Sequence, residues 1–214
     1  MTVCVLAGGD LLVFSPICLP EEQMAQLFGG QHVAFIVAPN GWHRLDTSLY
    51  HERFPEAVVL APQRSLARVA EKVPVADSLE QHFGLVKPGL GVSAIPVPFK
   101  ESATIQECIL NVPLSSSKRV LLVGDVFQNA NTDAVSPLLR PFLRLYGIMG
   151  QDNKSLQMSR GFRWMMKPED RKIFFKSLAE LCRNDTSITH IVMCHGEPVQ
   201  ASPAQFESLL QKTT

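Results

Sequence analysis

The sequence predicts a mixed α/β fold that forms one domain over residues 1–214. Short apolar runs alternate along the chain with segments whose apolar residues have helical spacing, which is typical of layered α/β proteins. No repeat and no linker interrupts this alternation, and the length suits a single compact domain. Hydrophobic residues make up 46% of the sequence, the usual share in a chain that buries a core.

Short apolar runs bounded by glycine, proline or asparagine predict the strands. The first two form a hairpin around Gly8-Gly9-Asp10. Residues 33–38 are continuously apolar and residues 119–123 and 188–194 are largely apolar, which predicts three buried strands. Three further runs predict strands less clearly, namely 57–61, 94–97 and 104–112.

Helices are predicted where apolar residues recur at helical spacing beside a suitable first or last residue. The strongest pattern is 168–183, with Pro168 in its first turn and Glu169 and Asp170 where the helix dipole favours acids. Residues 137–146 predict a helix with a kink near Pro141, because an internal proline removes a backbone hydrogen bond. The other predicted helices run from Pro20 to Gly29-Gly30, from Asp46 or Thr47 to Phe54, over 64–70 and over 202–211.

Charge and composition argue against several classes of protein. The 20 basic and 20 acidic residues balance, so we expect no binding to nucleic acid. Acids interrupt the one scattered basic set, which we interpret as a solvated surface: Lys154, Arg160, Arg163, Lys167, Arg171 and Lys172. The five cysteines have no C-x-x-C spacing, which argues against a zinc finger or a disulfide framework. No run is apolar for long enough to span a membrane and no signal peptide is apparent, so we expect a cytoplasmic protein.

Polar residues follow each of the three buried strands. His43 lies in the loop after the first, Asp125 after the second and His195 after the third. In open α/β sheets ligands bind beyond the carboxyl ends of the strands, so these side chains can converge. Imidazole and carboxylate groups suit zinc, manganese or iron, and the pattern therefore indicates a metal site.

Each of these residues also has an ordinary structural interpretation. Asp125 can cap a helical segment that begins just after it. His195 can be a turn residue beside Gly196. His43 can pair with Asp46 or remain solvated.

The order of these segments resembles the layout of the metallo-β-lactamase superfamily over nearly the whole chain. The resemblance rests on Val-Leu-Leu-Val-Gly-Asp at 120–125 and Ile-Val-Met-Cys-His-Gly at 191–196. Ser15-Pro16 and Pro39-Asn40-Gly41-Trp42-His43 are similar to motifs of a divergent branch of uncharacterised bacterial members. The resemblance implies a four-layer αββα sandwich with a hydrolase-like metal site.

The sequence departs from the superfamily at the metal ligands. The loop after the first central strand lacks the His-x-His-x-Asp-His motif and holds only Asn40 and His43, and residues 94–112 contain no histidine. The resemblance implies that Asp125 and His195 are catalytic residues and metal ligands, with His43 as a substitute third ligand. That set suits one Zn, Mn or Fe ion and cannot hold two, and a site without metal is the alternative.

Two functions are compatible with this reduced site. One is a mononuclear metal-dependent hydrolase of unknown substrate, since the superfamily acts on several classes of molecule. The other is a non-catalytic protein that binds a small molecule or a protein partner in the former cleft, where Asn40, His43 and Asn129 are predicted to bind the ligand. Residues 147–166 are rich in methionine, aromatic residues and arginine, which predicts a lid, a homodimer surface or a packed loop.

Overall fold

We describe the chain from a computed structural model. It describes residues 1–75, 77–83, 91–103, 105–115, 117–130, 135–149 and 155–211. The chain divides into two compact units, Met1–Pro96 with Ile105–Ser116, and Val97–Thr104 with Ser117–Thr214. In the described ranges each unit contains paired β-strands and helices that alternate along the sequence, which confirms the predicted mixed α/β class.

The first unit contains a five-stranded sheet with the order β1-β2-β3-β4-β5. β1 and β2 form the predicted antiparallel hairpin, and β2 to β5 pair in parallel. A separate antiparallel pair, β6 and β7, also belongs to this unit. The strands are β1 (Thr2–Val5), β2 (Leu11–Phe14), β3 (Val33–Val37), β4 (Val58–Ala61), β5 (Asp77–Ser78), β6 (Ser93–Pro96) and β7 (Cys108–Ser115).

Helices of the first unit bury aromatic side chains against the first sheet. They are α1 (Glu21–Phe28), α2 (Thr47–Arg53), α3 (Leu66–Ala70) and α4 (Leu79–His82). The rings of Phe28 and Tyr50 meet edge to face with centroids 5.9 Å apart, in one core with Ile36 and Val59. The Tyr50 hydroxyl donates to the carbonyl of Ile17 at 3.1 Å, so its polar end is satisfied inside this core.

The second unit contains β8 (Lys118–Val123), β9 (Ile188–Met193) and β10 (Val199–Gln200). β8 and β9 are parallel, and β9 and β10 are antiparallel. The helices of this unit are α5 (Arg140–Tyr146), α6 (Arg160–Met165), α7 (Pro168–Asn184) and α8 (Pro203–Gln211). Its core centres on Phe127, whose ring lies 6.0 Å from that of Phe175 and 5.7 Å from that of Phe206.

Two sequence predictions of secondary structure are wrong in detail. Pro141 lies in the first turn of α5, where no helical hydrogen bond is lost, so it begins the helix rather than kinking it. The strand predicted at 104–112 begins instead at Cys108 and continues to Ser115. None of the helices in the described ranges has the length and apolar character that a membrane crossing requires.

Candidate functional site

Asp125 and His195 lie side by side beyond the carboxyl ends of two paired strands. Val123 and Met193, the last residues of β8 and β9, are aligned partners, and the Cys194 amide donates to the Val123 carbonyl at 3.0 Å. Two residues after each strand end, Asp125 Oδ1 lies 2.9 Å from His195 Nε2. The Asp125 side chain is 7% exposed and that of His195 is 56% exposed. The pair therefore has a buried carboxylate and an imidazole open to solvent.

The backbone around His195 is fixed by its contacts with Asn129. The Asn129 amide donates to the His195 carbonyl at 3.2 Å, and the Asn129 side chain donates to the Glu197 carbonyl at 3.0 Å. Gly196 has a φ of +107°, and a Cβ atom there would lie 2.0 Å from the Asn129 carbonyl oxygen. Only glycine allows this close approach of two backbones, which explains the glycine after His195.

The structure decides between the interpretations of Asp125. The residues that follow it form bends and a short bridge rather than a helix, so the cap interpretation is wrong. The bridge pairs Asn129 with Gly196 and holds the two loops together. The side chain of Gln128 donates to the Asp125 carbonyl at 3.3 Å. Asp125 therefore faces His195 from a loop that the backbone itself braces.

The loop after β3 is organised by Asn40, which is 0% exposed. Its Oδ1 accepts from the backbone amides of Trp42 at 2.8 Å and His43 at 3.3 Å, an arrangement that mimics a backbone turn. Its Nδ2 donates to Glu107 Oε2 at 3.2 Å. Both the acceptor and a donor of this amide are thus engaged, which supports a positioning role for Asn40; its predicted ligand-binding role stays a prediction.

Glu107 is a buried acid that sequence reasoning missed. It is 0% exposed and accepts the Asn40 bond just before β7. Burial, together with the carboxylates of Glu80 and Glu107, holds the pKa of the neighbouring Cys108 thiol well above its usual range. One sequence signal was present: Glu107 stands between Ile105 and the apolar start of β7, where a solvated acid is not expected.

His43 is held by Ser15 rather than by Asp46. His43 Nδ1 lies 2.7 Å from Ser15 Oγ, whereas Asp46 Oδ2 accepts from the Cys18 amide at 2.8 Å. Ser15 is 1% exposed and has a φ of +54°, which is rare for a residue with a side chain. Strained backbone of this kind concentrates at functional sites. A hydrogen bond on Nδ1 fixes the orientation of the imidazole ring.

The donor set of Asp125 and His195 suits a metal ion. Two ligand atoms at about 2.0–2.1 Å from a tetrahedral zinc are separated by roughly 3.3 Å. The 2.9 Å between Asp125 Oδ1 and His195 Nε2 is therefore a few tenths of an ångström short of that separation. An Asp–His pair alone gives two of the three protein ligands that a catalytic zinc normally has.

Residues 147–166 only partly fit the predictions for them. Met149, Met158, Phe162 and Met166 are buried, which supports the packed-loop interpretation for these positions. Trp164 is 76% exposed. Part of the segment, 150–154, lies outside the described residues, and the homodimer surface and the lid stay predictions.

Solved structures with a similar fold are metallo-β-lactamases. One is a metallo-β-lactamase from Pontibacter korlensis, at 12% sequence identity and a TM-score of 0.54. The alignment covers 95% of this chain and 81% of that chain. A second is the metallo-β-lactamase FIM-1 from Pseudomonas aeruginosa in its mono-zinc form, at 10% identity and a TM-score of 0.51, covering 95% and 77%. No family model and no curated protein matches the chain.

These similarities cover nearly the whole chain, and at such low identity they speak for the fold alone. They confirm the resemblance that the strand order and the Gly-Asp and His-Gly loops predicted. The chain has the metallo-β-lactamase fold.

Proposed function

We propose that this chain is a metallo-hydrolase-like protein that binds one Zn²⁺, Mn²⁺ or Fe²⁺ ion through Asp125, His195 and His43. The observation that supports it most is the 2.9 Å approach of a buried carboxylate to an exposed imidazole beyond two parallel strands. Carboxylate and imidazole are both ligands that these metals accept. His43 is the third ligand in this proposal because it lies in the loop where the superfamily has its main metal motif.

The surroundings of each ligand support this assignment. Metal-bound histidines usually use their second nitrogen to bond an oxygen nearby, which fixes ring orientation. Ser15 Oγ is such a partner for His43 Nδ1. The bridge of Asn129 to Gly196 places the His195 backbone, and burial keeps Asp125 in one position.

A bound metal of this kind supplies hydrolytic chemistry by lowering the pKa of a bound water to about 7. The chain's own residues would hold the reaction centre rather than move protons. Asp125 contributes the negative charge and His195 and His43 contribute neutral nitrogens. The Asp of the superfamily motif, which supports the water, has no counterpart in the loop after β3.

Hydrolysis is tested with metal-loaded protein against one chromogenic substrate from each of three classes, a phosphodiester, a thioester and a β-lactam. We expect turnover of at least one class that a chelator abolishes, and that Asp125→Asn lowers at least 100-fold. The matched control is His190→Asn, since His190 is an exposed residue of β9 whose Nδ1 lies 3.1 Å from the hydroxyl oxygen of its neighbour Thr189. Turnover that survives both the chelator and Asp125→Asn would exclude this mechanism.

The second candidate is a non-catalytic protein that binds a small molecule or a protein partner at the same residues. The missing His-x-His-x-Asp-His motif favours it, because the ligand set is smaller than in the superfamily. In that case Asp125 and His195 act as a charged hydrogen-bonding pair, with no metal. Protein that binds metal tightly but hydrolyses none of the substrates would favour a binding role with metal, and protein that binds none would favour this second candidate.

A further inference from the structure

A basic pocket lies on the second unit, apart from Asp125 and His195 in the sequence. It has a volume of about 370 Å³. None of the described residues that line it is acidic. The lining residues that matter here are Lys100, Arg160, Arg163, Arg171, Trp164 and Pro168.

Backbone carbonyls hold two of these cations, Arg171 and Lys100, in place. Arg171 donates through its guanidinium to the Arg163 carbonyl at 2.8 Å. The Lys100 ammonium donates to the Trp164 carbonyl at 2.6 Å, and the Lys100 amide donates to the Met165 carbonyl at 2.7 Å. A carbonyl orients a cation without carrying a full opposite charge, so these bonds position the positive groups at the pocket.

The arginines come from two successive helices, α6 and α7, and Arg171 is the one on α7. Arg160 and Arg163 are three residues apart on α6 and therefore share a helix face. Ser159 caps α6 by accepting from the Phe162 amide at 3.3 Å, and the Phe162 ring packs 5.8 Å from that of Phe99. The helix is thus fixed at its start and by its buried side.

The pocket also receives the first turn of α7, a helix of 17 residues that begins at Pro168. The N-terminus of a helix has a partial positive charge that favours anions. Glu169 and Asp170 in the same turn offset part of this charge. The pocket therefore depends chiefly on its arginines.

Arg163 lies among like charges in this pocket. Burial lowers the pKa of Arg163, and the charges of Arg171 and Arg160 lower it further. Like charges held close together cost free energy that a bound anion would offset.

We propose that this pocket binds a small molecule bearing phosphate groups, with Arg160, Arg163 and Arg171 contacting the phosphate oxygens. Guanidinium groups bind phosphate through two parallel hydrogen bonds, which is why arginine clusters recognise it. Trp164, 76% exposed with the Lys100 ammonium 4.9 Å from its ring centroid, lies at the rim. This proposal does not depend on the proposed metal site, and it changes the interpretation of Arg160, Arg163 and Arg171 from a solvated surface to a binding site.

Trp164 allows a direct test. The chain has two tryptophans, so Trp42→Phe leaves Trp164 as the sole tryptophan. In this background we would titrate pyrophosphate into the full chain and repeat the titration with sodium chloride at matched ionic strength. We expect a saturable change in Trp164 fluorescence with pyrophosphate and none with chloride. A response equal in the two salts would overturn the proposal, because it would report ionic strength alone.

Matched variants locate the site. Arg160→Gln with Arg163→Gln should raise the half-saturating pyrophosphate concentration at least tenfold. Arg183→Gln removes a positive charge from the exposed ion pair with Glu207, outside the pocket. It should leave the half-saturating pyrophosphate concentration within twofold of the parent value. Equal effects of the double variant and of Arg183→Gln would overturn the assignment. Broadening of the ³¹P resonance of pyrophosphate gives a second measurement, and its absence with the folded parent chain would also overturn it.

Two further ligands distinguish the source of the phosphate. ATP that binds at least tenfold more tightly than pyrophosphate would identify a nucleotide, with the base stacking on Trp164. Equal binding of both would identify a simpler phosphate ester. Adenosine, which has no phosphate, should not bind, and binding of adenosine that equals that of ATP would contradict the proposal.

Discussion

Asp125 Oδ1 lies 2.9 Å from His195 Nε2, although the two residues are far apart in the sequence. The parallel pairing of β8 and β9 brings them together, because each follows its strand by two residues. The carboxylate is almost fully buried and the imidazole is more than half exposed. This asymmetry fits a metal-ligand pair in which the carboxylate is fixed by burial and the imidazole faces solvent.

Gly196 is predicted to be essential to the position of His195. Gly196→Ala places a Cβ 2.0 Å from the Asn129 carbonyl oxygen at a φ of +107°. We expect a loss of stability of at least about 2 kcal/mol, measured by urea unfolding. Gly161→Ala is the control, since the nearest atom to its Cβ is 3.8 Å away within α6. It should leave stability unchanged or raise it by up to about 1 kcal/mol; equal losses would contradict the role of Gly196.

Ser15 is predicted to hold His43 at the expense of backbone strain. Ser15→Ala loses the 2.7 Å bond to His43 and keeps the φ of +54°. Ser15→Gly loses the same bond but relieves the strain, so it should be more stable than Ser15→Ala by about 1 kcal/mol. Both should weaken metal binding, which isothermal calorimetry measures. Metal affinity equal to that of the parent chain in both variants would exclude a positioning role for Ser15.

The buried contact between Asn40 and Glu107 is predicted to stabilise the fold only while one of the two side chains donates a hydrogen bond to the other. Asn40→Asp would place two carboxylates 3.2 Å apart at positions that are 0% exposed. We expect a loss of roughly 3 kcal/mol or more near pH 7. The loss should shrink as the pH falls, because a protonated carboxyl can again donate. Unfolding by urea at pH 7 and pH 5 measures this change.

A compensating variant separates this charge effect from general disruption. Asn40→Asp combined with Glu107→Gln restores a donor and an acceptor with their positions exchanged. The double variant should recover about 1–3 kcal/mol relative to Asn40→Asp alone. A double variant less stable than the single one would show that the pair does not interact as described.

The thiols are predicted to differ in reactivity. Burial raises the pKa of Cys4 and of Cys182 to about 11, whereas Cys18 is exposed. At pH 8, iodoacetamide should modify Cys18 first, and mass spectrometry of peptides would locate the label. Because folding raises these two pKa values, their contribution to stability is present at neutral pH and is lost as the pH rises towards 11. Rapid labelling of Cys4 in the native protein would contradict its burial.

The sequence predicted the parts of the molecule that repeat a simple pattern. The largely apolar runs at 33–38, 119–123 and 188–194 became β3, β8 and β9, although β9 keeps an exposed His190 and is not buried on both faces. The meeting of Asp125 and His195 followed from the rule that carboxyl ends of parallel strands share an edge.

The remaining features depend on contacts between distant residues. Glu107 bonds Asn40 across 67 positions, and no local pattern predicts such a partner. The left-handed conformation of Ser15 is not expected from its residue type. Lys100 and the arginines of α6 meet only through folding, so their shared pocket could not be inferred from spacing. Helix α6 was missed because it is short and contains a glycine, while its stability comes from the Ser159 cap and packing.

Metal stoichiometry is the most direct test of the proposed site. The full chain would be purified without chelator, exposed in turn to Zn²⁺, Mn²⁺ and Fe²⁺, and measured by inductively coupled plasma mass spectrometry beside His43→Asn, Asp125→Asn, His195→Asn and the control His190→Asn. We predict about one metal per chain in the parent and in His190→Asn, and at least tenfold less bound metal in the other three. Absence of bound metal in the folded parent chain with all three ions, or equal binding by all variants, would contradict the proposed metal site.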